Sequence, residues 1–172
     1  MFKLRDIKMD DYKGLYPCGT DKEARKFFDP TAFESLESLE KFFIDFFIPL
    51  KDETIIPPQI IEKDNKIIGI IYFCHLKDKK SGRESELGFV LHKDYRGQGI
   101  VSKASQLMLA RAFEELNVDL MKISCLPSNE ASKAIAKKLG MHFDKYWYND
   151  KTKICLYKIS KKQYFKNIEK LN

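Results

Sequence analysis

Glu86-Leu-Gly-Phe-Val-Leu-His-Lys-Asp-Tyr-Arg-Gly-Gln-Gly-Ile-Val-Ser-Lys-Ala104 is the stretch on which the fold turns. Glu86 to Leu91 reads as a strand, and a loop with Gly97 and Gly99 follows it. The loop runs directly into a helix extending to about Asn117, with Val101, Ala104, Met108, Ala112 and Leu116 on its apolar face. Two glycines remove side chains, so backbone N–H groups can approach a ligand closely. The helix start adds unpaired N–H groups and partial positive charge, and Arg96 adds a fork of donors. These parts make a cradle for a phosphate or pyrophosphate. On spacing alone, a plain structural strand-to-helix turn fits equally well.

Before this stretch, Lys3 to Ile7 alternates apolar and charged residues and predicts a first strand. Asp10 to Tyr16 is long enough for one or two helical turns. Capping-box spacing at Thr20-Asp-Lys-Glu23 and Thr31-Ala-Phe-Glu34 predicts two short helices. Ser35 to Ile48 carries Leu36, Leu39, Phe43, Phe46 and Phe47 at helical spacing, with Pro49 as its stop. Pro58 to Glu62 and Ile67 to Leu76 read as an antiparallel hairpin turning at Lys63-Asp-Asn-Lys66, and Asp78 to Ser85 as a polar loop. After it come a strand at Leu120 to Leu126, a helix capped by Ser128 or Asn129 and stopped by Gly140, and a hairpin of Met141–Tyr148 and Lys153–Ile159. The tail to Asn172 reads as a frayed helix. Antiparallel strands first and alternating strands and helices later predict an α/β fold, a mixed sheet with helices on its faces.

The length of 172 residues, 44% hydrophobic and 13% aromatic, suits one domain over residues 1–172, with a core of 3–159 and a basic tail of 160–172. No apolar run approaches the ~18 residues of a membrane span. The charged and apolar alternation at the N-terminus is not that of a signal peptide, so a cytoplasmic address is expected. Cys18, Cys74, Cys125 and Cys155 form no C-x-x-C pair and read as buried free thiols. His75, His92 and His142 show no ligand spacing, so no metal is expected. The net charge of +6 favours an anionic ligand, but the lysines are spread along the chain as a solvated surface rather than a nucleic-acid patch. A Walker loop is absent. A dinucleotide fingerprint is poorly matched, because Ser102 stands at its third glycine.

The quoted stretch resembles the acetyl-CoA-binding segment of the GNAT acetyltransferase superfamily, whose usual form is a strand, then [QR]-x-x-G-x-[GA], then a helix. Arg96 and Gly99 match; Val101 stands where glycine or alanine is usual, bringing a β-branched side chain to the phosphate loop. Further on, Asn129-Glu-Ala-Ser132 and the run to Leu139-Gly140-Met141 resemble the N-x-x-S and K-L-G-F pattern of the ribosomal-protein N-terminal acetyltransferase-like branch. The resemblance spans roughly Lys3 to Tyr157.

It implies a GNAT-like acyl-CoA N-acyltransferase fold, a mostly antiparallel sheet flanked by helices, with acetyl-CoA as cosubstrate. The pantetheine would bond to the backbone of Phe89, Val90 and Leu91 and approach Asn129 and Ser132. The pyrophosphate would rest on Arg96, Gly97, Gln98, Gly99, Ile100, Val101 and Ser102. The implied reaction is direct acetyl transfer to a primary amine: a protein N-terminus, a polyamine or another small amine. Glu86 is the candidate base, and the N–H of Phe89 or Val90 the candidate donor to the carbonyl oxygen. The tyrosine that many members carry four residues before the terminal glycine is replaced by Ala136, leaving its neighbour Ser132, or Tyr146 or Tyr148 from the last hairpin, as stand-ins, each of which reads as structural first. Phe27-Phe28, Phe42-Phe43 and Phe46-Phe47 read as core before they read as a substrate wall. A binder that has lost catalysis and, further off, a nucleic-acid-binding domain are the rival readings. An edge strand in the final hairpin is compatible with a homodimer.

Overall fold

The computed structural model describes residues 1–29, 31–53, 56–80 and 82–170. The chain packs as two compact units, one of Met1–Phe73 with Gly88–Ala104, the other of Cys74–Leu87 with Ser105–Asn172.

In the first unit, β1 (Phe2–Asp6), β2 (Gln59–Lys63) and the first part of β3 (Lys66–Lys79) form an antiparallel meander. The β2–β3 turn is the expected two-residue one: Asp64 and Asn65 adopt φ of 50° and 59°, and Lys63 pairs with Lys66. Helices α1 (Asp11–Gly19), α2 (Lys22–Phe27), α3 (Leu36–Phe42) and α4 (Ile48–Glu53) complete this unit. Asp21, not Thr20, caps α2, because its carboxylate accepts from the N–H groups of both Glu23 and Ala24. Thr31 to Glu34 is a turn rather than a helix, and the cap falls on Ser35.

The expected single helix over 35–48 is interrupted. Residues Phe43–Phe47 widen into a π-turn, and the helix resumes through Pro49. Proline lacks an N–H and its ring would press on the carbonyl four residues back; a wider turn just before it relieves that crowding. The widened turn keeps Phe43 and Phe47 buried and stacks Phe46 and Phe47 edge-on against Tyr72. The phenylalanine run is therefore mainly core.

In the second unit, the end of β3 turns back into the first part of β4 (Gly82–Leu91), where the sequence predicts a loop over 78–85. Its charged residues hold the two strands together across the turn: Arg83 bonds Asp78 at 2.8 Å, and Lys79 bonds Glu84 at 2.6 Å. β5 (Leu120–Cys125) runs parallel to β4 over three pairs, from Glu84↔Leu120 to Glu86↔Lys122. β7 (Thr152–Ser160) pairs antiparallel with β5, and β6 (His142–Asn149) takes the edge beyond it. The strand order is β1-β2-β3-β4-β5-β7-β6.

Helix α5 (Ile100–Glu114) buries the expected face of Val101, Ala104, Met108, Ala112 and Leu116. α6 (Glu130–Lys138) and α7 (Lys161–Glu169) follow. The tail is firmer than predicted, because Ser160 and Gln163 form a capping box at the start of α7. Residues 171 and 172 lie outside the described residues. All four cysteines are buried and unpaired, and burial pushes Cys18 and Cys74 up to about 12 and Cys125 up to about 11. Among the described residues no helix is long and apolar enough to cross a membrane.

Candidate functional site

The loop after β4 is built within the first unit. Gly97 and Gly99 both adopt the left-handed region, with φ of 75° and 73°. A Cβ on either would meet nothing within 4 Å, so the space before the loop's backbone is open. The Lys103 N–H donates to Gly99 O at 3.0 Å, which makes Gly99 the first acceptor of α5. The N–H groups of Ile100, Val101 and Ser102 are then first-turn donors without intrahelical partners. The side chains of Ile100 and Val101 are buried, so the β-branched carbons of Val101 do not stand in the loop's open front. Gln98 turns back and donates to Asp94 O at 3.0 Å.

Arg96 is placed differently from a free phosphate clamp. Its guanidinium donates to both oxygens of Asp21, at 3.0 and 2.7 Å, and to Glu23 at 3.3 Å, while Nε reaches Leu91 O at 3.2 Å. The arginine thus ties the loop to the start of α2. Hydrogen bonding from Arg96 holds the Asp21 carboxyl below its ordinary value, against burial, which pushes the other way. An unfolded aspartate titrates at about 3.9. With the folded value lower, the stabilisation is complete above that pH and drains as pH falls through the folded value. In urea unfolding, the stability gap between the wild type and Asp21→Asn should hold steady from about pH 7 to about pH 5 and close below about pH 4.

On β4, a Cβ at Gly69 would lie 2.4 Å from Val90 O, so the Val90 carbonyl faces β3. The His92 N–H donates to Ile68 O at 2.8 Å and faces the same way. A strand residue presents its N–H and C=O to one side, and its neighbours present theirs to the other. Val90 is therefore turned to β3, and the Phe89 and Leu91 backbones are turned away from it. Of the two candidate donors in the sequence, the Phe89 N–H lies on the edge away from β3.

Glu86, Asn129 and Ser132 belong to the second unit. Glu86 Oε1 accepts from the Ser124 N–H at 3.1 Å, where the β4–β5 ladder ends. No cation pairs with Glu86 among the described residues. Two positions earlier, Glu84 behaves otherwise. Burial disfavours its charge, but Lys122 and Lys79 outweigh burial and leave its pKa below the ordinary value. Glu84 is thus a neutralised structural carboxylate, and Glu86 an unneutralised one.

Both face a cavity of about 350 Å³ in the second unit, lined also by Lys77, Lys79, Lys122 and Trp147. His75 joins this wall from a left-handed backbone, φ 54°. Apart from Glu86, the sequence does not single out this lining. Its one signal was the alternation of His75, Lys77 and Lys79 on one strand and of Glu84 and Glu86 on the next.

Asn129 caps α6, its Oδ1 accepting from the Ser132 N–H at 3.1 Å. Its amide nitrogen has no protein acceptor among the described residues. Ala136 is fully buried and offers no acid, while Tyr146 and Tyr148 stand exposed on the edge strand. No group of three His, Cys, Asp or Glu among the described residues is placed to hold a metal ion.

Residues 2–142 match the family model described as the acetyltransferase (GNAT) domain. The chain is 27% identical over 139 residues to a Bacillus subtilis (strain 168) protein named uncharacterized N-acetyltransferase YnaD, covering 80% of this chain and 77% of that one. It is 30% identical over 77 residues to the putative ribosomal N-acetyltransferase YdaF of the same strain, covering 45% of this chain and 41% of that one. RimL, a ribosomal L7/L12 alpha-N-protein acetyltransferase solved with coenzyme A, shares the fold with a TM-score of 0.78 and 19% identity over 92% of this chain and 93% of that one.

Proposed function

Because this chain belongs to the GNAT family of acetyltransferases and is an N-acetyltransferase, we propose that it transfers acetyl from acetyl-CoA directly to a primary amine, the whole chain acting as one catalytic domain. The observation that carries this reading is the pair of left-handed glycines with open space before the first turn of α5. Acetyl-CoA supplies an activated thioester when bound.

The backbone N–H groups of Gly97 to Ser102 hold the pyrophosphate, and Arg96 fixes their loop through Asp21. The Phe89 and Leu91 backbones, turned away from β3, bond the pantetheine. Glu86 takes a proton from the acceptor amine, directly or through one water. The Phe89 N–H, in place of Val90's, donates to the carbonyl oxygen as charge gathers there. The N–C bond forms as the C–S bond breaks, and the sulfur leaves as thiolate; with Ala136 buried, no protein acid is assigned to it.

The acceptor is an amine of a protein N-terminus or a small molecule, and the cytoplasm is the compartment where both meet acetyl-CoA. A homodimer through the free edge of β6 is compatible with this reading. Initial rates across a grid of acetyl-CoA and amine concentrations test it. Direct transfer gives intersecting reciprocal lines and no burst of free thiol. Parallel lines with a burst would mean an acetylated enzyme and would overturn it.

A further inference from the structure

We propose that the cavity beside Glu86 selects acceptor amines that carry a negative charge close to the reacting nitrogen, as the N-terminus of an acidic peptide does. This rests on the reading that Glu86 receives the acceptor. The cavity lies wholly within the second unit and is lined by three lysines and two glutamates. Their charges do not cancel in place. Glu84 is taken up by Lys79 and Lys122, the first at 2.6 Å, and is only 12% exposed. What remains is Glu86, held by the Ser124 N–H, and Lys77, which has no carboxylate partner among the described residues. Lys79 adds a half-exposed ammonium on the same face of β3, and shares its one carboxylate with Lys122.

The unneutralised set is thus one anion at the end of the β4–β5 ladder and cationic side chains along β3. An ammonium or amine matches Glu86, and an anion behind it matches Lys77 and Lys79. A peptide α-amine followed by aspartate or glutamate presents that pattern. A polyamine presents the opposite one, placing its second cation against lysines. Trp147 offers an apolar wall for the intervening stem.

Trp147 is the only tryptophan in the chain, so its fluorescence reports occupancy of the cavity without turnover. The test uses the full chain and three peptides that differ only in charge, Ser-Glu-Asp-Ala, Ser-Gln-Asn-Ala and Ser-Lys-Arg-Ala, with spermidine as a fourth acceptor. Each is read by thiol release from acetyl-CoA and by titration of Trp147 fluorescence. The expected kcat/KM falls from acidic to neutral to basic, with about tenfold or more between the ends, and fluorescence titrations follow the same order. Lys77→Glu should shrink the acidic-to-basic ratio by about tenfold, and Lys77→Gln by less. Added salt should flatten the ratio in the wild type.

Turnover without charge preference, or a preference for the basic peptide or spermidine, overturns the inference while leaving amine acetylation standing. Charge-selective quenching of Trp147 without turnover of any acceptor supports the cavity's selectivity and overturns the placement of the acceptor at Glu86. Neither turnover nor quenching overturns both.

Discussion

Replacing Glu86 with glutamine is expected to lower kcat by about a hundredfold or more, the usual range for removing a general base, and to change the shape of the pH–rate profile. The substitution is chosen for what it keeps. A glutamine amide oxygen still accepts from the Ser124 N–H, so the tie where β4 and β5 part survives. Unfolding free energy in urea should then stay within about 0.5 kcal/mol of the wild type. A loss of turnover with stability preserved assigns the carboxylate to proton transfer. If kcat and the pH profile are unchanged, Glu86 is a structural partner of Ser124 and the base lies elsewhere. Glu84→Gln makes the contrast, because its carboxylate is already bound by two lysines; there stability, not proton transfer, is the property that changes.

Gly99→Val should act on the other substrate. Valine at φ 73° is strained, because a β-branched residue in the left-handed region crowds its own carbonyl, at about 1–2 kcal/mol. No neighbour opposes its Cβ, so the side chain fits sterically and stands in the open space beside the start of α5. The expected result is a KM for acetyl-CoA raised by about tenfold or more, since about 1.4 kcal/mol of lost binding is a factor of ten. The KM for the amine should change far less. Equal effects on both substrates would point to a general disturbance of the fold instead.

The structural features that lie close together in sequence were legible in it. Gly97 and Gly99, the apolar face of α5 and the turn at Asp64-Asn65 are local signals, set by backbone freedom and periodicity within a few residues. The interruption at Phe43–Phe47 was not legible, because Pro49 reads as a stop and only the widened turn before it lets the helix continue.

Residues 78–85 looked like a loop because charged residues lower strand expectation; their ion pairs across the hairpin form only once the strands meet. The tie from Arg96 to Asp21 was not legible, because Asp21 lies 75 residues away in the chain. Which of Phe89 and Val90 turns its N–H away from β3 was not legible, because strand phase relative to β3 is set by pairing rather than by composition.

Acetyl-CoA held on the loop and first turn of α5 should stabilise the folded chain, and thermal unfolding of the wild type with increasing acetyl-CoA measures this. Ligand at a hundredfold over its dissociation constant stabilises the native state by about 2.7 kcal/mol. At about 2–4 °C per kcal/mol for a chain of this size, Tm should rise by about 5–10 °C and keep rising logarithmically with ligand. A Tm that stays flat up to millimolar acetyl-CoA would mean that the loop holds no acetyl-CoA.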